Sequence, residues 1–122
     1  MKSLDRYSHL FDINNYADEE CVHFYQGEDE KTLGEPVLVP ESVCSRMTFI
    51  GQAYGLHYLP MLDLYSDTVL NKVQVVSLID ELHFVLSVVG DQVLHHFLSP
   101  VIKLAEEIVR SHRDTALHVL GI

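Results

Sequence analysis

The residue types best suited to metal binding or acid–base chemistry in this chain are its eight histidines. Two of them follow an aspartate at helical spacing, in Asp80-x-x-His83 and Asp91-x-x-x-His95, which puts an acid and an imidazole on one helical face. His95 and His96 are adjacent, so on a helix they point about 100° apart and do not easily share one metal ion. The chain has no HExxH and no Cys/His cluster with zinc spacing. We therefore predict no metal and no cofactor, exposed or hydrogen-bonded histidines, and a half-buried His83 bonded to Asp80 or to the backbone.

The other arrangements that could carry catalysis are also incomplete. Serine, cysteine and histidine all occur, but the chain has no GxSxG motif and no sequence typical of a catalytic cysteine. Carboxylates occur in adjacent pairs such as Asp80-Glu81, whose side chains diverge on regular structure and do not converge on one substrate atom. The six glycines are scattered, so no glycine-rich loop can hold phosphate. We predict that the protein is not an enzyme and that these paired acids lie on solvated faces.

The strongest signal is the acidity of the first third of the chain. From Asp5 to Glu41 there are ten carboxylates and two cations, which contribute −8 to a formal net charge of −10. Such a field repels the phosphates of nucleic acid. It favours a basic protein surface as partner, because opposite charge steers the encounter of two proteins.

Aromatic residues are interleaved with these acids. An interface needs charge for the encounter and aromatic anchors for affinity, and tyrosine rings also attract cations. Some of these rings must instead fill the core, since the chain has no tryptophan. We predict a partner-binding surface made of six acids and two tyrosines. Its members are Asp18, Glu19, Glu20, Glu28, Asp29, Glu30, Tyr16 and Tyr25.

Length and composition predict one cytoplasmic domain over residues 1–122. The 48% hydrophobic content supports a folded core. No apolar region follows Lys2, so we expect no signal peptide, and polar residues interrupt the apolar stretch Val73–Val89, so we expect no membrane span. Cys21 and Cys44 are then expected to be reduced and to act as small apolar fillers.

The N-terminal half is predicted to supply strands and one helix. We expect a short strand or helical turn over 4–13 and strands over 21–25 and 33–39, the latter confined to a sheet edge by Pro36 and Pro40. Apolar residues at three- and four-residue spacing predict a helix over 41–55 that opens after Pro40 and stops at Gly55. Residues 56–65 are expected to be irregular or short helical.

The C-terminal half is predicted to form two helices and a strand. Ser66-Asp67 supplies N-cap chemistry for a helix that begins at Leu70 or Val73 and runs to Val89. Gly90-Asp91 indicates that this helix ends at Gly90 and that Asp91 is the N-cap of a second helix. In the second helix, Pro100 predicts either a kink or a restart with Ser99 as N-cap. A strand over 115–120 completes the chain.

Together these elements predict an α+β domain. We expect a small, mostly antiparallel sheet, two long C-terminal helices packed as an αα-hairpin, and a short C-terminal strand.

The segment Leu78–Leu94, with Asp80-Glu81-Leu82 and the break at Gly90-Asp91, followed by Ile102–Glu107, resembles the C-terminal half of some bacterial immunity proteins. These proteins neutralise toxins delivered between competing cells, including those of contact-dependent growth inhibition. The resemblance covers residues 70–122 and has no catalytic motif to carry over. It implies a cytoplasmic protein that binds and occludes one cognate toxin, often a basic nuclease domain.

Other classes of function remain open. A phage-encoded nuclease inhibitor would also be small and acidic. A small hydrolase-like enzyme would need a cleft that holds a perturbed histidine or carboxylate. A structural or interaction subunit would leave an apolar helix stripe uncovered in the monomer, whereas an inhibitor should show an acidic, aromatic surface without a deep pocket.

Overall fold

The structure is a computed structural model and describes residues 12–89 and 91–122. Within these residues, four antiparallel strands and three α-helices form an α+β fold, as predicted. Short 3-10 helices span Ile13–Tyr16 and Leu59–Met61. The predicted element over 4–13 lies, as far as residue 11, outside the described residues. The strands are β1 (Cys21–Gly27), β2 (Val37–Pro40), β3 (Thr68–Leu70) and β4 (Ala116–Leu120), and the helices are α1 (Glu41–Ala53), α2 (Lys72–Val88) and α3 (Gln92–Arg110).

The sheet has the order β2-β1-β4-β3, with every neighbouring pair antiparallel. Alternation along β1 buries Val22 and Phe24 against the helices and turns His23 and Tyr25 to the opposite face. β2 lies at an edge of the sheet, as Pro36 and Pro40 predicted, but the strand is shorter than predicted. Residues 33–35 lie in the connecting loop, and Pro36 has no N–H to donate to a ladder.

Helix α1 confirms the prediction over 41–55 to within two residues. Gly55 has φ +68°, a conformation that glycine adopts without strain, and it follows the C-cap Tyr54. Gly51 inside the helix has a packing reason, because a Cβ there would come 2.8 Å from the Cβ of Leu59. The glycine therefore allows the 3-10 helix at 59–61 to approach α1 closely.

The predicted N-cap of α2 at Ser66-Asp67 is wrong, and so is a start at Leu70, whereas the alternative start at Val73 lies one residue from the observed Lys72. Thr68, Val69 and Leu70 form β3 and pair with β4, so Ser66 and Asp67 cannot cap a helix. The N-cap of α2 is Asn71, which exchanges hydrogen bonds with Gln74 in a capping box. Asp67 accepts a hydrogen bond from the N–H of Gly121 at 3.1 Å instead.

Helices α2 and α3 form the predicted hairpin. Asp91 is the N-cap of α3 and accepts from the Leu94 N–H at 2.9 Å, as expected, while Gly90 lies outside the described residues. Helix α3 runs through Pro100 without interruption, so a restart at Ser99 does not occur.

The two cysteines differ in burial. Cys44 is buried in the core, and burial raises the pKa of its thiol to about 12, whereas the Cys21 thiol is only half-buried. None of the helices formed by the described residues has the length and apolar character needed to cross a membrane.

Candidate protein-binding surface

The structure separates the predicted acids into two segments at opposite ends of β1. Asp18, Glu19 and Glu20 precede the strand, and residues 28–30 follow it. A seven-residue strand spans roughly 20 Å, so one compact contact cannot include both segments at full strength. Asp18, Glu20 and all three acids of the second segment are exposed.

Glu19 differs from its neighbours because the fold uses its carboxylate. Its two oxygens accept hydrogen bonds from the Ser42 N–H at 2.9 Å and from the Ser42 hydroxyl at 2.8 Å. Pro40 occupies the N-cap position of α1 and offers no side-chain acceptor, so Glu19 supplies the cap from 23 residues away. The negative charge also complements the positive end of the helix dipole.

The second segment is an exposed turn held by its own side chains. The carboxylate of Asp29 accepts from the backbone N–H of Lys31 at 2.8 Å and of Thr32 at 3.1 Å. Glu28 and Glu30 extend from this turn into solvent. Among the described residues, no aromatic ring is shown in contact with Glu28, Asp29 or Glu30. The turn therefore presents charge without an aromatic anchor.

Both predicted tyrosine anchors are half-buried. The ring of Tyr16 meets the ring of Phe97 edge-on at 5.9 Å, which packs the segment before β1 onto α3. Tyr25 lies on the sheet face away from the helices, and its ring stacks with that of His23 at 6.0 Å. Their role in partner binding stays a prediction, but neither is the most accessible ring of the chain.

A more accessible tyrosine, Tyr65, lies beside the first acidic segment. Tyr65 is 67% exposed, and its hydroxyl donates a hydrogen bond of 2.8 Å to the carboxylate of Glu41. This hydrogen bond, with the nearby charges of Glu41, Asp63 and Glu20, raises the pKa of Tyr65. We call the group of Glu20, Glu41, Asp63 and Tyr65 the acid–tyrosine surface. A hollow of about 410 Å³ beside it is lined by Tyr65, Glu41, Glu19, Leu64, Ser42 and Ser45.

The loop that carries Tyr65 is anchored at several points. The carboxylate of Asp63 accepts from the Tyr65 N–H at 2.8 Å, and the C-terminal residues bind both sides of the loop. Ile122 donates its N–H to the Leu64 carbonyl at 2.6 Å, next to the contact of Gly121 with Asp67. A side chain held in this way loses little conformational entropy on binding.

The negative charge of the acid–tyrosine surface is not neutralised within the described part of the chain. Residues 12–89 and 91–122 show one ion pair between a Lys or Arg and a carboxylate. It joins Arg46 to Asp91. Partial burial would raise the pKa of Asp91, but hydrogen bonds from Arg46 and the Leu94 N–H hold it below its ordinary value. Lys72 donates to the Ser111 carbonyl. Among the described residues, no ion pair of a Lys or Arg with Glu20, Glu41 or Asp63 is present.

Helix α1 extends this surface with a second exposed ring. Phe49 is 68% exposed and stands two turns beyond Glu41 on the same side of the helix, at positions 41, 45 and 49. Eight residues of helix span about 12 Å, which is within the reach of one interface. A phenylalanine this exposed contributes little to the core, and we include it in the surface because of its position beside Glu41.

Helix α2 presents a different exposed face, which is apolar. Val73 is 79% exposed, and Val76, Phe84 and Val88 lie on the same side, with Asp80 between them. The ring of Tyr54 from α1 packs edge-on against Phe84 at 5.2 Å. This is the uncovered stripe that an interaction subunit is expected to show.

Two sequence expectations about acids and histidines are wrong. Glu81 is not solvated, because its carboxylate accepts from the N–H groups of Tyr58 and Leu59 at 3.0 Å and so fixes the 3-10 helix. His83 is exposed and makes no hydrogen bond to Asp80 that the structure shows. Among the histidines that the structure describes, His118 is the buried one, and its Nε2 lies 3.3 Å from the carbonyl oxygen of Gly27. The described residues bring no three His, Cys, Asp or Glu side chains together as metal ligands.

Glu41 is one of the ten carboxylates between Asp5 and Glu41, but neither Glu41 nor Tyr65 was predicted as a site residue. A local signal existed in the segment 63–67, where Asp63 and Asp67 flank Tyr65 at two-residue distance. Tyrosine and acids in a segment without helical or strand periodicity indicate an exposed loop, where binding residues are common. The pairing with Glu41 had no local signal, since 24 residues separate the two.

Comparisons of the chain with models of known families, with curated proteins and with solved structures find no match in any of the three. The resemblance of residues 70–122 to immunity proteins therefore stays a prediction.

Proposed function

We propose that this chain is a protein-binding inhibitor, of the immunity type, that docks a basic protein domain on its acid–tyrosine surface. The observation that carries the proposal is Tyr65, an exposed ring that is hydrogen-bonded to Glu41 and surrounded by two further carboxylates. It combines the two components that a basic partner would need, which are uncompensated charge and an anchor.

Inhibition in this proposal is occlusion. A toxin nuclease binds phosphates with a cluster of Arg and Lys, and carboxylates placed on that cluster would exclude the nucleic acid. The charge of −10 would accelerate the encounter. Affinity would come from a few buried anchors, with Tyr65 stacking on a guanidinium and Glu41 accepting its hydrogen bonds.

The structure refines the choice of contact residues. Glu19 is committed to α1, and Tyr16 packs on Phe97, so these two act chiefly on stability. Asp18 and Glu20 remain as exposed acids at the same end of β1. The second segment would contribute to long-range steering, because an exposed turn without an anchor adds charge but little contact area.

The test is co-expression of the untagged chain with a tagged product of the gene immediately upstream of its own. The proposal expects a 1:1 complex at moderate salt and rescue of growth from that product. Tyr65→Ala should raise Kd about 30-fold, as loss of an interface anchor does.

Tyr54→Ala is the matched control, since Tyr54 is an exposed tyrosine of similar accessibility on the apolar side of the molecule. The proposal expects a change below about threefold for this variant. No complex and no rescue would contradict the immunity function, and a loss with Tyr54→Ala but not Tyr65→Ala would move the interface to α2.

The exposed face of α2 favours a second candidate, a structural or interaction subunit. Val73, Val76, Phe84 and Val88 give this helix an apolar outer side that a monomer leaves in water. If the chain assembles with itself through α2, its mass in light scattering should rise with concentration, and Val76→Asp should abolish the rise. A constant monomer mass would contradict self-assembly.

A further inference from the structure

The two residues after β4 run along the loop that carries Tyr65. Ile122 donates its N–H to the Leu64 carbonyl at 2.6 Å, and Gly121 donates its N–H to the Asp67 carboxylate at 3.1 Å. Each bond joins positions more than fifty residues apart, so the loop does not make these contacts within its own segment. The loop is therefore held on both sides of Tyr65 by one short segment of chain.

Gly121 is the point at which this segment and the loop come closest. The register of β3 with β4, continued two residues beyond its outermost pair, places Ser66 opposite Gly121. A Cβ at position 121 would lie 2.6 Å from the N of Ser66, 2.7 Å from its carbonyl oxygen and 2.8 Å from the carbonyl oxygen of Leu64. All three atoms belong to the backbone, so no side-chain rotation can relieve the contact. A larger residue at position 121 must therefore displace the backbone on both sides of Tyr65.

The hydrogen bond of Tyr65 depends on this backbone. The side chain is 67% exposed, so the core contributes little to holding the ring in place. Its hydroxyl donates to the Glu41 carboxylate at 2.8 Å, close to the ordinary length of such a bond. Because hydrogen bonds weaken steeply when their geometry is lost, a displaced loop would separate the hydroxyl from its acceptor.

We propose that Gly121 is a positioning residue of the acid–tyrosine surface, which acts through the backbone of Leu64 and Ser66 to place the Tyr65 hydroxyl on Glu41. Gly121 has no side chain that a partner could contact, so its role is to order the ring before binding. An anchor ordered in advance loses less conformational entropy when the partner binds. The consequence for binding rests on the proposed function, whereas the positioning itself is a property of the free chain.

The test is an NMR pH titration of the free full chain with ¹³Cζ-labelled tyrosine, in which Tyr65→Phe identifies the Tyr65 signal. The hydrogen bond to Glu41, with the charges of Glu41, Asp63 and Glu20, raises the pKa of Tyr65. Gly121→Ala should return this pKa toward that of an ordinary tyrosine, because the displaced hydroxyl loses the acceptor that favours its neutral form.

Gly34→Ala is the matched control. A Cβ at position 34 would meet only the carbonyl oxygen of Gln26, at 3.6 Å, which is an ordinary contact. This variant makes the same chemical change as Gly121→Ala and should leave the pKa of Tyr65 unchanged. If Gly121 only stabilised the fold, Gly121→Ala would lower the urea midpoint without changing the pKa of Tyr65.

Two variants of Asp67 keep the proposal falsifiable if Gly121→Ala does not fold. Asp67→Ala removes the acceptor of the Gly121 N–H and should lower the pKa of Tyr65, whereas Asp67→Asn keeps an acceptor oxygen and should lower it less. Both variants remove the same charge, so the difference between them isolates the hydrogen bond.

The outcomes separate this proposal from the proposed function. An unchanged pKa of Tyr65 in Gly121→Ala, an equal fall in Gly34→Ala, or equal effects of Asp67→Ala and Asp67→Asn would overturn the positioning role. The titration needs no partner, so failure to capture one would contradict the proposed function alone. In a captured complex, Gly121→Ala should raise Kd about tenfold, because the ring is retained but must be ordered on binding.

Discussion

The two acidic segments that flank β1 have nearly the same composition and opposite relations to the fold. Before the strand, Glu19 caps α1, and the carbonyl of Glu20 accepts the Glu41 N–H at 2.9 Å. After the strand, Glu28 and Glu30 lie on an exposed turn, and the carboxylate of Asp29 accepts a hydrogen bond from the Lys31 N–H within that turn. Charge alone therefore does not identify a binding surface.

What distinguishes the first segment is fixed geometry. The bond from Glu19 to Ser42 positions the start of α1, and thereby Glu41, to which Tyr65 is hydrogen-bonded. A partner that meets this end of the sheet finds acids already ordered, whereas at the other end it would have to order them. The following variants separate acids that stabilise the fold from acids left in solvent.

The largest effect is expected at Glu81, compared with its neighbour Asp80. Glu81→Ala leaves the N–H groups of Tyr58 and Leu59 without their acceptor and should cost about 2–3 kcal/mol of unfolding free energy. Asp80→Ala, on the exposed side of α2, should change it by less than about 0.5 kcal/mol. Urea denaturation measures both, and equal losses would contradict the assigned role of Glu81.

The same comparison applies to the two ends of β1. Glu19→Ala removes the cap of α1 and should cost about 1–2 kcal/mol, whereas Glu28→Ala should cost less than about 0.5 kcal/mol. Denaturation midpoints of the two variants, measured side by side, check this. If Glu19→Ala is as stable as Glu28→Ala, the two segments do not differ in the way described.

Charge reversal tests the segments as steering surfaces. Asp18→Lys with Glu20→Lys should slow association with the basic partner about tenfold at low salt, because both acids are exposed at the end of β1 where the acid–tyrosine surface lies. Glu28→Lys with Glu30→Lys makes the same change in net charge and should slow it about threefold or less. Glu19 is left unchanged so that α1 stays capped. Stopped-flow measurement of the association rate at several salt concentrations distinguishes the two double variants. Equal slowing by both would mean that only net charge matters.

A smaller effect on the free energy of unfolding is expected at Asp91. Its carboxylate caps α3 and pairs with Arg46. Its pKa lies below the ordinary 3.8, so the stabilisation is present above pH 3.8 and is lost as pH falls through the folded value. Asp91→Asn keeps an N-cap but loses the ion pair, and should cost about 0.5–1 kcal/mol at pH 7. Thermal denaturation from pH 7 to pH 3 should show this difference shrink in the acid range. A constant difference would contradict the assigned shift.

Local patterns predicted most of the fold, and the failures have one physical cause. Strong signals within one segment are the spacing of apolar residues in α1, α2 and α3 and the β-branched and aromatic residues Val22, Phe24 and Tyr25 of β1. β3 was missed because its three residues form a strand only by pairing with β4, almost fifty residues later. That pairing also excludes Ser66-Asp67 as the N-cap of α2, a position that Asn71 takes instead.

The candidate surface was predicted in part for the same reason. Composition located the acids, and the sequence places Glu20 near the start of β1. Nothing local shows that Glu19 serves Ser42, that Glu81 serves Leu59, or that Tyr65 meets Glu41, because each contact spans more than twenty residues. The sequence thus predicts an acidic surface but not Tyr65, the residue that we propose as its anchor.

The central claim is that the basic partner binds at Tyr65 and not along the whole acidic field. Hydrogen–deuterium exchange of the chain, free and in the captured complex, tests this directly. The account predicts new protection over residues 41–49 and 63–67, with residues 28–32 and the outer side of α2 unchanged. Protection confined to residues 28–32 or to α2, with 63–67 unaffected, would contradict it.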